Sequence, residues 1–163
     1  MDRYFKGRIR TYSEAVRLKV IDRRVREIVD TLNRSNVIYT VGSCQGHGFP
    51  FVRVPPYVSF KTSADIASWL KFNIEQISTA ERHLLNYRWS IESSVDDDES
   101  ITYVLDIPEL SSGGLRYALR HRIDHDLVVL NSLAKKLLDK AVYSSCEIVG
   151  YRVNSNHKDE QND

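Results

Sequence analysis

Long apolar runs are missing from this chain. No window approaches the roughly 18 consecutive apolar residues of a membrane span, and no apolar stretch follows Met1-Asp-Arg-Tyr-Phe-Lys-Gly-Arg, so neither a membrane anchor nor a secretory signal is expected. Net charge is missing too. At +1 the chain has no bulk attraction for nucleic acid or an anionic membrane. There are only two cysteines, Cys44 and Cys146, which excludes a disulfide framework and points to free thiols in a reducing cytoplasm. No linker rich in glycine, serine or proline divides the chain and no segment repeats, so the 163 residues read as one domain over 1–153 with a disordered polar tail over 154–163.

What is present is an ordinary core-forming composition, 42% hydrophobic, arranged with clear periodicity. Thr11 followed by Glu14 is a capping box. Behind it Leu18, Ile21, Val25, Ile28 and Leu32 recur at steps of three and four, which predicts one amphipathic helix over 14–33. Asn36–Val41 and Tyr57–Lys61 are rich in β-branched and aromatic residues and predict strands. Ser63 caps a second helix with a stripe of Ile66, Trp69, Leu70, Ile74 and Ile77. Tyr87, Trp89 and Ile91, then Ile101, Tyr103, Leu105 and Ile107, alternate as half-buried strands around a solvated acidic tip at Asp96–Glu99. Ser112-Gly-Gly114 is expected to open a last helix buried through Leu115, Leu119, Ile123, Leu127, Leu130, Leu137 and Ala141, with a final strand over Cys146–Val153. The resulting order, α-β-β-α-β-β-α-β, predicts an α+β fold: a mainly antiparallel sheet of about five strands with three helices packed on it.

Three of the seven glycines fall between Val41 and Tyr57, in Val-Gly-Ser-Cys-Gln-Gly-His-Gly-Phe-Pro-Phe-Val-Arg-Val-Pro-Pro-Tyr. Gly42, Gly46 and Gly48 permit positive φ and close approach of a ligand. The amides of such a turn can converge on an anion. Ser43 adds a hydroxyl, Gln45 an amide and Arg53 a planar fork for phosphate or carboxylate. Cys44 and His47, three apart, can meet as a thiol and its base. The plainer reading is a structural glycine turn with a half-buried thiol. A connection this long between two strands more often carries function.

The segment Val37-Ile-Tyr-Thr-Val-Gly-Ser-Cys-Gln-Gly-His47, together with the helix before it, resembles the wybutosine-synthesis methyltransferase-type family that acts on transfer RNA. That family has a strand followed by a Ser-Ser-Cys-Ser-Gly-Arg loop. Ser43, Cys44 and Gly46 match it, while Gly42 and Gln45 stand where it has serines and His47 where it has arginine. Its Gly-Gly-Trp segment has no counterpart here. The resemblance covers residues 20–47 and implies an α+β domain, a related loop and a role linked to RNA modification with S-adenosylmethionine.

A second cluster is Arg120-His-Arg-Ile-Asp-His-Asp126. His121 and His125 are four apart and share a helix face with Tyr117, beside Asp124. They could hold a divalent metal, or the face could simply be solvated. The glutamate of a His-Glu-x-x-His zinc site is replaced by Arg122. Residues 1–34 hold ten Lys/Arg against five Asp/Glu. With Arg116, Arg120 and Arg122 they could form a nucleic-acid groove in which Tyr57 or Trp89 stacks a base. The leading expectation is therefore a site on the 42–53 loop for an anionic ligand, nucleotide or RNA. Cys44 and His47 would be the reactive pair, and Gly42, Ser43, Gln45, Gly46, Gly48, Arg53, Tyr57 and His121 the ligand-binding set. The alternative is a non-enzymatic protein-interaction module such as a phage or mobile-element regulator. A metal-dependent hydrolase using His121 and His125 is a third.

Overall fold

The computed structural model describes residues 11–80, 83–96 and 100–155, and of residue 80 and residues 140–155 the backbone alone. The helix expected over 14–33 is two helices, α1 (Tyr12–Arg17) and α2 (Arg26–Arg34). The cap is as expected, with Thr11 Oγ1 accepting the Glu14 N–H at 3.2 Å. The break comes at Lys19, whose φ is 55°. The Lys19 and Val20 N–H groups turn back to the carbonyls of Val16 and Ala15, at 3.1 and 3.2 Å. This is the closure that glycine usually supports at a helix end. The apolar period survives because Ile21, Val25, Ile28 and Leu32 all reach the core, whereas Leu18 falls at the break and is exposed.

Asn36, with φ 57°, turns the chain out of α2. As a result β1 (Tyr39–Cys44) starts later than expected and carries Ser43 and Cys44 inside the strand. β2 (Phe51–Val52) follows, then β3 (Tyr57–Lys61), α3 (Ala64–Ala80), β4 (Ser90–Val95) and β5 (Ile101–Asp106). Four of these strands form an antiparallel sheet in the order β1-β3-β5-β4. β2 leaves that sheet and pairs with β6 (Ala118–Leu119) in a separate two-stranded ribbon. The fold is α+β and antiparallel, with five helices among the described residues where three were expected. Val58, Phe60, Leu105 and Ile91 project to the buried face of the sheet, where they meet Ile28, Leu32, Leu70, Ile74, Ile123, Leu127 and Leu130.

The C-terminal half departs most from expectation. Ser112–Gly114 does not open a helix: it follows the short α4 (Pro108–Ser111), and α5 begins at Arg120. Leu115 and Leu119 therefore precede the helix, while Ile123, Leu127, Leu130 and Leu137 do form its buried stripe. The strand expected over Cys146–Val153 is also corrected, since α5 (Arg120–Ser155) continues through it. No proline follows Leu137 and the first glycine is Gly150, so nothing stops the helix where β-branched residues suggested a strand. Asn154 and Ser155, assigned to the tail, belong to this helix; residues 156–163 and the 97–99 part of the acidic tip lie outside the described residues. Asp96 itself is held by Thr102 Oγ1 at 2.7 Å and Lys61 Nζ at 3.2 Å.

Asp126, the last residue of the Arg120–Asp126 cluster, is fully buried. It accepts the main-chain N–H groups of Asn86 at 2.8 Å and Tyr87 at 3.0 Å, and Trp89 Nε1–H at 3.1 Å. One carboxylate thus ties the lead-in to β4 onto the second turn of α5.

Candidate functional site

The turn after β1 is organised by Arg120, the first residue of α5. Its side chain is 6% exposed. The guanidinium donates to the carbonyls of Gln45 at 2.6 Å, Gly46 at 2.8 Å and Gly48 at 3.4 Å. Its own N–H donates to the Pro50 carbonyl at 3.0 Å. Three carbonyls can face one cation only if the backbone reverses sharply, and Gly46 and Gly48 supply this with φ of 77° and 113°. Neither position has room for a side chain: a Cβ at Gly46 would lie 2.8 Å from the Val54 carbonyl, and one at Gly48 would overlap the Phe51 carbonyl.

The amides of the turn are used internally. Gln45 N–H donates to Asp22 Oδ2 at 3.0 Å, Gly46 N–H to Cys44 Sγ at 3.3 Å and His47 N–H to the Val54 carbonyl at 3.2 Å. The anion cradle expected from this loop is therefore corrected at these three positions. With the carbonyls gathered on Arg120, the backbone here is a structural device.

What the turn presents is its side chains. Cys44 Sγ lies 3.5 Å from His47 Nε2, the pairing expected from the spacing. Burial pushes the thiol above its ordinary value; Asp22 adds to this, and the Gly46 N–H and Arg120 oppose it. Tyr57, paired with Cys44 across β1 and β3, is also pushed up, first by burial and then by Cys44 and Asp22. The imidazole is exposed, and the raised thiol holds its proton beside it. Ser43 pairs with Val58 and shares its sheet face, on the side opposite Cys44 and Tyr57. The Gly42 carbonyl accepts from Ser59 Oγ at 3.1 Å.

Beside the turn is a cleft of about 540 Å³ lined by Arg23, Arg24, Glu27, Ile28, Gln45, Asp124, Leu127 and Val128. Gln45 is the residue that the turn contributes; Cys44 and His47 are not among those lining it. Arg24 forms an ion pair with Asp124 across the cleft, and its N–H meets Gln45 Oε1 at 3.4 Å. Ile28 and Leu127 are buried and give the cleft an apolar floor.

The basic groove expected from the sequence is not assembled as proposed. Arg120 is buried under the turn, Arg24 is paired, and Trp89, 1% exposed, is a core residue bonded to Asp126 and presents no ring for stacking. His121 is exposed, and among the described residues no hydrogen bond links it to Cys44. His125 Nδ1 lies 3.2 Å from Asn86 Nδ2 and 3.4 Å from Asp126 Oδ1. Among the described residues no group of three or more His, Cys, Asp or Glu converges as a metal site. Arg53 is exposed, with its N–H on the His47 carbonyl at 3.1 Å.

Sequence reasoning placed Arg120 in a groove and missed its role under the turn, because its burial is invisible in a locally basic helix start; it also missed the aromatic residues around the ribbon. Phe49 is 84% exposed, Phe51 44% and Tyr117 51%. The last two meet edge to face, with ring centroids 4.9 Å apart. The sequence signal was Phe49-Pro-Phe51, two rings in a segment without an acidic residue. Compared with protein-family models, with curated proteins and with solved structures, the chain matches none.

Proposed function

We propose that this chain is a binding protein for a nucleotide-sized ligand, held at the Gln45 side of the Cys44–Gly48 turn and in the adjoining cleft. One observation carries the reading. Gln45 has its N–H fixed by Asp22 and its carbonyl fixed by Arg120, so its side-chain amide stands at the cleft wall with little backbone freedom left to lose on binding. The cleft volume lies within the range of small-molecule sites. Its apolar floor suits a heterocycle, the amide suits the polar edge of that heterocycle, and Arg23 at the lining suits a phosphate. The Cys44–His47 pair adjoins this site through the same turn and stands ready for proton transfer. The transfer-RNA resemblance would place the ligand within an RNA-modification reaction.

Equilibrium dialysis with labelled AMP, GMP, CMP and UMP tests this. At least one should bind with Kd below about 1 mM. Gln45→Ala and Arg23→Glu should each weaken that binding about fivefold or more, from the loss of one hydrogen bond or one charge contact. No binding of any of the four, or binding untouched by both substitutions, overturns it.

A second reading, a protein-interaction module, is favoured by the exposed apolar side chains Val16 on α1, Leu18 and Val20 in the turn after it, and Tyr39 and Val41 on the edge strand β1.

A further inference from the structure

The β2–β6 ribbon differs from the rest of the surface in two ways. Its underside is firmly packed: Val52 is fully buried and Ala118 is 1% exposed. The ribbon is fastened at its Phe51–Leu119 end, by the Arg120 N–H on the Pro50 carbonyl at 3.0 Å and by the Leu119 N–H on Tyr87 Oη at 2.7 Å. Its outer side carries rings. Phe51 and Leu119 are paired, so they share the outer face. Continuing that register past Val52 and Ala118 brings Arg53 opposite Tyr117. Phe49 stands two residues before Phe51 and is the most exposed large apolar side chain among the described residues.

Single exposed aromatics are ordinary. Two that meet edge to face over a packed ribbon, with a third two residues away in the chain, are not, and the segments that carry them hold charge of one sign. Residues 46–56 and 110–123 contain no Asp or Glu. They contribute His47, Arg53, Arg116, His121 and Arg122, all exposed. An apolar protein partner would not require this cationic frame, but a polyanion with planar groups would.

We propose that Phe49, Phe51 and Tyr117 form a stacking platform for single-stranded nucleic acid, with Arg53 and Arg116 meeting its phosphates. Base-on-ring stacking tolerates any sequence, because every base offers a π face. A duplex keeps its bases stacked on one another and cannot use the rings, so the platform discriminates by strandedness. It lies apart from the Gln45 cleft and does not depend on the nucleotide reading.

Fluorescence anisotropy with labelled single-stranded RNA and DNA oligomers of about ten nucleotides, and with the matched duplex, tests the assignment. The single strand of at least one type should bind at least about tenfold more tightly than the duplex. Phe49→Ala should weaken it about fivefold to a hundredfold, the range of one stacked base. Phe49→Trp should retain it, and at this exposure both variants keep the native thermal midpoint. Arg53→Gln should lower the salt dependence by about one phosphate contact. Gln45→Ala and Arg23→Glu should leave strand affinity within about twofold, which separates this site from the cleft. Equal affinity for strand and duplex overturns the platform, as does unchanged affinity in Phe49→Ala. Failure of both strands to bind overturns it as well and leaves the rings to a protein partner.

Discussion

At Cys44 the environment sets the timing of any chemistry. Burial and Asp22 hold the thiol above its ordinary value, so near neutral pH it carries its proton and is a poor nucleophile unless His47 removes that proton. Iodoacetamide should therefore label folded Cys44 more slowly than free cysteine at pH 7.5, and the rate should reach half its maximum above the ordinary thiol value of about 8.5. A rate equal to that of free cysteine would contradict the buried geometry. A raised folded-state value contributes stability below the unfolded thiol pKa, and that contribution is lost as pH rises through the folded value. Spacing permitted the Cys44–His47 contact without requiring it, and the turn geometry brings the two side chains together. The roles of Arg120 and Asp126 were not legible, because charged residues in a basic helix start read as solvated. Asp126 did leave a trace: it lies three after Ile123 and one before Leu127, within the apolar stripe.

At the level of elements, the hydrophobic period located the core-facing side chains better than it located helix ends. Ile21 to Leu32 kept one phase through a chain reversal, because both segments pack on the same core. The reversal depended on a single dihedral, at Lys19, where no glycine announces it. A lysine in the left-handed region costs about 1 kcal/mol relative to glycine. Lys19→Gly should raise stability by about 0.5–1 kcal/mol, seen as a higher urea midpoint with an unchanged slope. A lower midpoint would mean that the Lys19 side chain contributes more than its backbone costs. β3 and the β4–β5 hairpin followed the alternation of their residues, whereas β2 and β6, two residues each, are too short to leave a period. Their pairing is long-range, and no local pattern encodes it.

Across the whole molecule, two buried side chains on α5 hold segments far from the helix in sequence. Arg120 collects the turn after β1, and Asp126 collects residues 86–89 before β4. Asp126→Asn keeps the shape but replaces one acceptor oxygen with an NH₂ that faces existing donors. It should cost about 2–4 kcal/mol, measurable by denaturation followed through tryptophan fluorescence. A cost below about 0.5 kcal/mol, the level of an ordinary surface change, would show that the carboxylate is not holding these donors. The α+β class was readable from the alternation of patterns along the chain. The separation of a ribbon from the main sheet was not, since it depends on which strands meet.

Arg120 grips carbonyl oxygens, and every residue has one. Apart from the glycines that turn the chain, the clamp is indifferent to which amino acids occupy its bend. The side chains at positions 45 and 47 take no part in that clamp, although Gln45 Oε1 meets the Arg24 N–H and His47 Nε2 meets Cys44 Sγ. New recognition chemistry can be substituted there, one residue at a time, while the scaffold beneath it keeps its shape.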